Sequence, residues 1–134
     1  AKVSFFAFGA TCDPAPQAWI KLPDAESLML AKTWLEMHGA DGTTDMVGAM
    51  RVVLALPVQP LGVIVISDEM ADTTPLTTAA EIHLMNKKRE SPAIIGFIGV
   101  SPPDLTDGDL PLGVLVAKPT GGAYIRNTVR KPTE

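Results

Sequence analysis

The chain reads as an α/β protein: a mainly parallel sheet with helices on both faces and one short antiparallel edge strand. Two apolar runs carry most of that reading. Gly62–Ser67 is a continuous, β-branched stretch that stops abruptly at Asp68 and Glu69, and residues 93–100 (AIIGFIGV) are a second such run. Runs without polar alternation belong to strands covered on both faces, as parallel strands are. The third observation is that these runs alternate with capped segments of helical period, the pattern of βαβ units.

Taken in order, residues 3–10 (VSFFAFGA) read as a first strand, rich in aromatic and β-branched side chains. Residues 11–17 contain Asp13-Pro14 and Pro16 and are expected to turn. Residues 18–22 (AWIKL) suit a short edge strand, because Lys21 and the nearby prolines discourage further pairing. A helix is expected from Asp24, a good N-cap, to Gly39, a good stop. Leu28, Ala31 and Leu35 share one of its faces, widened by Leu30, Trp34 and Met37, and that stripe is expected to pack in the core. Asp41 to Asp45 is a polar turn entering a second helix over residues 46–56, which Pro57 ends. After the Gly62–Ser67 strand, Thr74 and Pro75 open a helix reaching about Glu90. Ser91-Pro92 breaks it, and the second apolar strand follows. Residues 101–111 are a Pro/Asp/Gly loop, and residues 112–117 are either a helical turn or a strand. Thr120-Gly121-Gly122 is a turn, and residues 123–127 form a last strand.

The 134 residues make one domain, large enough to bury a core unaided. The hydrophobic share is 46% and the mean hydropathy +0.21, yet no apolar run approaches the roughly 20 residues that span a bilayer. Membrane insertion is not expected. Net charge is −4, and the largest basic cluster, Lys87-Lys88-Arg89, has no aromatic interleaving, so no nucleic-acid partner is expected. Cys12 is the single cysteine, which favours a reducing compartment such as the cytoplasm.

Chemical motifs are sparse. Cys12 follows a strand, but no Arg stands six residues on, so a phosphatase-type loop is not present. There is no Gly-x-Gly-x-x-Gly, no Walker loop and no Gly-x-Ser-x-Gly elbow, and neither His38 nor His83 has a ligand at metal spacing. A non-catalytic protein is expected. In an open α/β sheet, ligands gather beyond the carboxyl ends of the strands, which directs attention to Asp68.

Four blocks, in order, resemble the von Willebrand factor type A family in its Rossmann-like form. VSFFAFGA resembles that family's second strand, and GTTDMVGAM its GGT-(N/D)-x3-A-L block. VIVISDEM resembles its strand ending in (T/S)-D-G, and VAKPTGGAYI its A-x2-T-G-G-x-(Y/F) ending. The resemblance covers nearly the whole chain. It implies a protein-interaction module whose Thr44 and Asp68 stand near a Mg²⁺ or Mn²⁺ at a metal-ion-dependent adhesion site. Asp45 and Glu69 would join the floor of the partner surface, with Asp13, Ser101 and Asp104 on the loops around it. The family's Asp-x-Ser-x-Ser motif is absent, and its first strand and helix have no counterpart after Ala1. The site is therefore expected to be incomplete or degenerate, and a sheet lacking a central strand is expected to pair with a protein partner or to self-associate. The alternatives are a receiver-like phosphoacceptor domain, with Asp68 as acceptor and Lys118-Pro119 contacting the phosphoryl group, and a metal-free structural α/β domain. The first lacks an acidic pair after the first strand, and residues 39–45 are too short for the extra strand it needs.

Overall fold

The computed structural model describes residues 2–9, 11–15, 19–21, 24–38, 45–57, 59–69, 74–100 and 110–127. The aromatic N-terminal run does not make one strand. It divides into β1 (Lys2–Val3) and β2 (Phe6–Phe8), each of which finds an antiparallel partner. β2 pairs with β3 (Cys12–Pro14) in the register Phe6 with Pro14, Ala7 with Asp13 and Phe8 with Cys12. β3 therefore lies within the stretch expected only to turn; Pro14, which has no N–H to donate, is tolerated at the end of this short ladder. β4 (Ile20–Lys21) falls within the anticipated edge strand and pairs with β1.

Helix α1 (Ala25–His38) starts after Asp24, whose carboxylate accepts from the Ser27 backbone N–H at 3.2 Å and the Ser27 hydroxyl at 2.9 Å. Those bonds hold the Asp24 carboxyl below its ordinary pKa, the Ser27 hydroxyl contributing most. The expected core stripe of α1 is a correction. Ala31 is buried, but Leu30, Leu35 and Met37 are 52%, 41% and 80% exposed, because the three-stranded sheet packs its other helices instead.

Helix α2 (Met46–Leu54) is capped by Asp45, which accepts from the Gly48 N–H at 2.9 Å. Strand β5 (Gly62–Ser67) ends where the apolar run ends. Helix α3 (Pro75–Lys87) opens as anticipated, with Thr74 as cap and Pro75 in the first turn, where a missing N–H costs nothing. Strand β6 (Ile94–Val100) follows, then helix α4 (Leu112–Ala117), a 3₁₀ turn at Lys118–Thr120, and β7 (Tyr124–Asn127). Helix is thus the outcome for the segment left open between helix and strand.

β5, β6 and β7 form a three-stranded parallel sheet in that order, separate from the two short antiparallel ladders. One face carries Val65, Ile95 and Phe97, packed against Met46, Met50 and Leu54 of α2, Ala79 and Ile82 of α3, and Leu112 and Val116 of α4. Each large side chain fully buried there contributes about 1.5–3 kcal/mol. Polar groups tie the layers. Asn86 donates from Nδ2 to the Ala93 carbonyl and accepts from the Ala93 N–H, both at 2.9 Å, aligning the end of α3 with the start of β6. His83 bonds through Nε2 to the Leu115 carbonyl at 2.8 Å, so this imidazole joins α3 to α4.

Helices on both faces were expected. Among the described residues, α2, α3 and α4 all cover the same face, and the opposite face leaves Ile64, Ile66, Ile94 and Ile125 between 56% and 71% exposed. The strand register aligns Ile66, Ile98 and Ile125 in one row across that face.

Candidate interaction site

Along β5, side chains alternate between the two faces of the sheet. Val63 and Val65 turn toward α2, while Ile64 and Ile66 turn outward and are 71% and 61% exposed. β6 occupies one edge of β5, and no strand pairs with the other among the described residues. Beyond that free edge lies an open groove of about 660 Å³. Phe5, Phe6 and Phe8 border it on the hairpin side, Met46, Met50 and Val53 on the α2 side, and Trp19 and Leu35 complete the lining with Ile64 and Ile66. The β2–β3 hairpin is held beside it by the Asp45 N–H, which donates to the Gly9 carbonyl at 2.7 Å, and by Phe8, which packs on the core.

At the carboxyl end of β5 the chain turns sharply. Glu69 has φ +65°, a left-handed conformation that a non-glycine residue holds only when its surroundings demand it. Those surroundings are polar and specific. The Glu69 carboxylate accepts from the Gly113 N–H at 2.9 Å and from the Tyr124 hydroxyl at 2.6 Å, and its own N–H donates to Ser67 Oγ at 3.0 Å. Two glycines make the room. A Cβ at Gly99 would lie 2.5 Å from Glu69 Oε2, and one at Gly113 would overlap the Tyr124 ring. The Tyr124 hydroxyl is pushed up to about 12, chiefly by loss of solvent and then by its bond to Glu69 and that group's negative charge.

The residues singled out from the sequence distribute unevenly over this framework. Asp68 is exposed just beyond β5, where the strand-end argument puts it. Glu69, expected on the floor of the partner surface, is 9% exposed and points into the protein as the hub joining β5, α4 and β7. Asp45 is exposed but engaged in capping α2. Asp13 sits opposite Ala7 in the hairpin and accepts from the Thr11 hydroxyl at 3.2 Å. Thr44, Ser101 and Asp104 lie outside the described residues. Among the described residues no three His, Cys, Asp or Glu side chains stand close enough to hold a metal ion.

Cys12 lines the groove, and burial, followed by the charge of Asp13, pushes its thiol up, opposite to what a nucleophile requires. No helix among the described residues is long and apolar enough to cross a membrane. The groove aromatics and methionines were not anticipated as site residues. The available signal was the β5 run itself, which is apolar on both faces and so calls for neighbours on both. The Glu69–Tyr124 contact spans 55 positions and leaves no spacing to read. No protein-family model, curated protein or solved structure matches this chain.

Proposed function

We propose that the chain is a non-catalytic protein-interaction module of the von Willebrand factor A type, which receives its partner along the open edge of β5. The observation that carries this is the apolar groove beside β5, which pairs with β6 on one edge and has no strand partner on the other among the described residues. Parallel strands are normally buried on both faces, and an exposed apolar edge is a template for another chain. The four sequence blocks support the family reading: one opens α2 at Asp45, one ends at Asp68, and one runs from α4 into β7. The fourth, at the N-terminus, forms antiparallel ladders rather than a parallel strand, so it supports the reading less.

The test is sedimentation velocity over a range of protein concentrations, on the natural chain and on Ile64→Lys. The open edge and the row of Ile66, Ile98 and Ile125 are expected to drive reversible self-association when no partner is present. The lysine, placed on a side chain 71% exposed, is expected to shift the chain toward monomer without unfolding it. A natural chain that stays monomeric at every concentration overturns the proposal.

A further inference from the structure

At the amino end of the sheet, opposite Asp68, we propose that the Arg89 guanidinium binds a single oxyanion, a phosphate or a carboxylate. Its position is fixed from several sides. Asn86 bonds Ala93 through both of its amide atoms, and the Arg89 N–H donates to the Asn86 carbonyl at 3.2 Å. From the side chain, Nη2 donates to the Pro60 carbonyl at 2.7 Å. The guanidinium therefore leaves the end of α3 and lies under the Gln59-Pro60 segment that leads into β5. Lys87 and Lys88 stay exposed, where cations complement the negative end of a helix. Arg89 turns inward instead.

Two of its nitrogens, Nε and Nη1, are shut off from solvent and meet no acceptor among the described residues. Arginine stays charged wherever it is placed, so burial is not relieved by loss of a proton. A buried cation is costly unless it is both paired and hydrogen-bonded, and the Pro60 carbonyl is neutral. No carboxylate among the described residues forms an ion pair with Arg89; Glu90, next in the chain, is exposed. The acceptor that fits is one that brings negative charge, and the planar fork of a guanidinium matches carboxylate and phosphate oxygens. Entry is over Gln59. Its Oε1 stands 3.4 Å from Nη2, at the outer limit of a hydrogen bond, and its side chain is exposed. Displacing that weak contact uncovers the end of the fork, where Nη1 and Nη2 stand side by side and hold two oxygens of one anion. Lys87 and Lys88 outweigh Glu90 and draw anions to this corner.

The probes are inorganic phosphate and the peptide acetyl-Gly-Glu-amide, each titrated against the whole chain at constant ionic strength set with NaCl. The readouts are the melting midpoint and the guanidinium resonances of Arg89 by NMR, assigned through Arg89→Lys. With at least one probe, a saturable rise in midpoint and a saturable movement of those resonances are expected. Arg89→Met is expected to weaken the midpoint response at least about tenfold, whereas Lys88→Gln leaves most of it. Gln59→Glu places a carboxylate beside Nη2; it is expected to raise the midpoint in NaCl alone and to remove the response to both probes. A response to phosphate only assigns a free anion, and a response to the peptide assigns a carboxylate on a partner polypeptide. Arg89 resonances that neither probe moves overturn the proposal. So does an equal midpoint rise in Arg89→Met, which marks general exclusion of salt from the surface. If Arg89→Met does not fold, the resonances and Gln59→Glu decide the matter on chains that keep the arginine.

Discussion

Removing one oxygen, in Tyr124→Phe, tests how the carboxyl end of the sheet is built. In the native protein the Tyr124 hydroxyl donates to the Glu69 carboxylate over 2.6 Å, the short distance of a charge-assisted bond. The phenylalanine keeps the ring, and with it the tilted contact to Phe97 at 6.2 Å, so the packing term is nearly constant. What is lost is a bond to a charged acceptor, and Glu69 retains the Gly113 N–H alone of its two described donors. The expected cost is about 1.5–3 kcal/mol. For a domain of this size it lowers the melting temperature by about 5–11 °C. Urea unfolding with an unchanged m-value measures it, and a cost below about 0.5 kcal/mol refutes the role given to Glu69. In the Glu69→Gln background the same substitution is expected to cost at least ~1 kcal/mol less, since contacting residues do not add.

Alkaline unfolding reads the same hydroxyl, whose shift comes chiefly from loss of solvent and then from its bond to Glu69. The hydroxyl has an ordinary pKa of 10.0 and is raised to about 12 in the folded chain, so folding favours its protonated form. That contribution is fully present below about pH 10 and is lost as pH rises through about 12. The shift corresponds at face value to ~2.7 kcal/mol, but the ring is partly wetted, and screening reduces this to about 1 kcal/mol. Tyr124→Phe is expected to remove this step from the pH profile of stability; a step that persists belongs to another group.

Three further outcomes follow from the packing and the site. Gly113→Ala would stabilise an exposed helix by up to ~1 kcal/mol, but here its methyl overlaps the Tyr124 ring and crowds Phe97, so urea unfolding is expected to show a net loss of about 1–3 kcal/mol. Asn86→Ala leaves the buried Ala93 N–H without its acceptor and its carbonyl without its donor, a loss of about 2–3 kcal/mol by the same measurement. Thermal melts in EDTA, Mg²⁺ and Mn²⁺ are expected to coincide, because no three His, Cys, Asp or Glu side chains among the described residues stand close enough to hold an ion; a midpoint raised by an ion and restored by Asp68→Ala would instead assign a metal to the strand end.

Local chemistry was legible in the sequence wherever the decision is local. The start of α1 at Asp24, the start of α2 at Met46 and the start of α3 at Thr74 and Pro75 each depend on residues within one helical turn. The span of β5 followed from an uninterrupted β-branched run meeting two acids. What failed depended on neighbours. VSFFAFGA has the composition of a strand, but composition does not say which edge it joins, and two short antiparallel partners took it. The α1 stripe has a helical period, yet burial needs an opposing surface, and the three-stranded sheet gave its covered face to α2, α3 and α4. Glu69 shows the same division from the other side. An acid after a strand reads as a surface group, because Ser67 and Asp68 directly before it are polar. Only the folding of α4 and β7 against β6 brings Gly113 N–H and Tyr124 OH within bonding distance and turns it inward. Sequence alone therefore determined the identity and ends of most elements, since capping and hydrophobic period act over a few residues. Tertiary structure decided which face is covered, which edge is open and where a carboxylate points, because each of these is set by groups that sequence holds far apart.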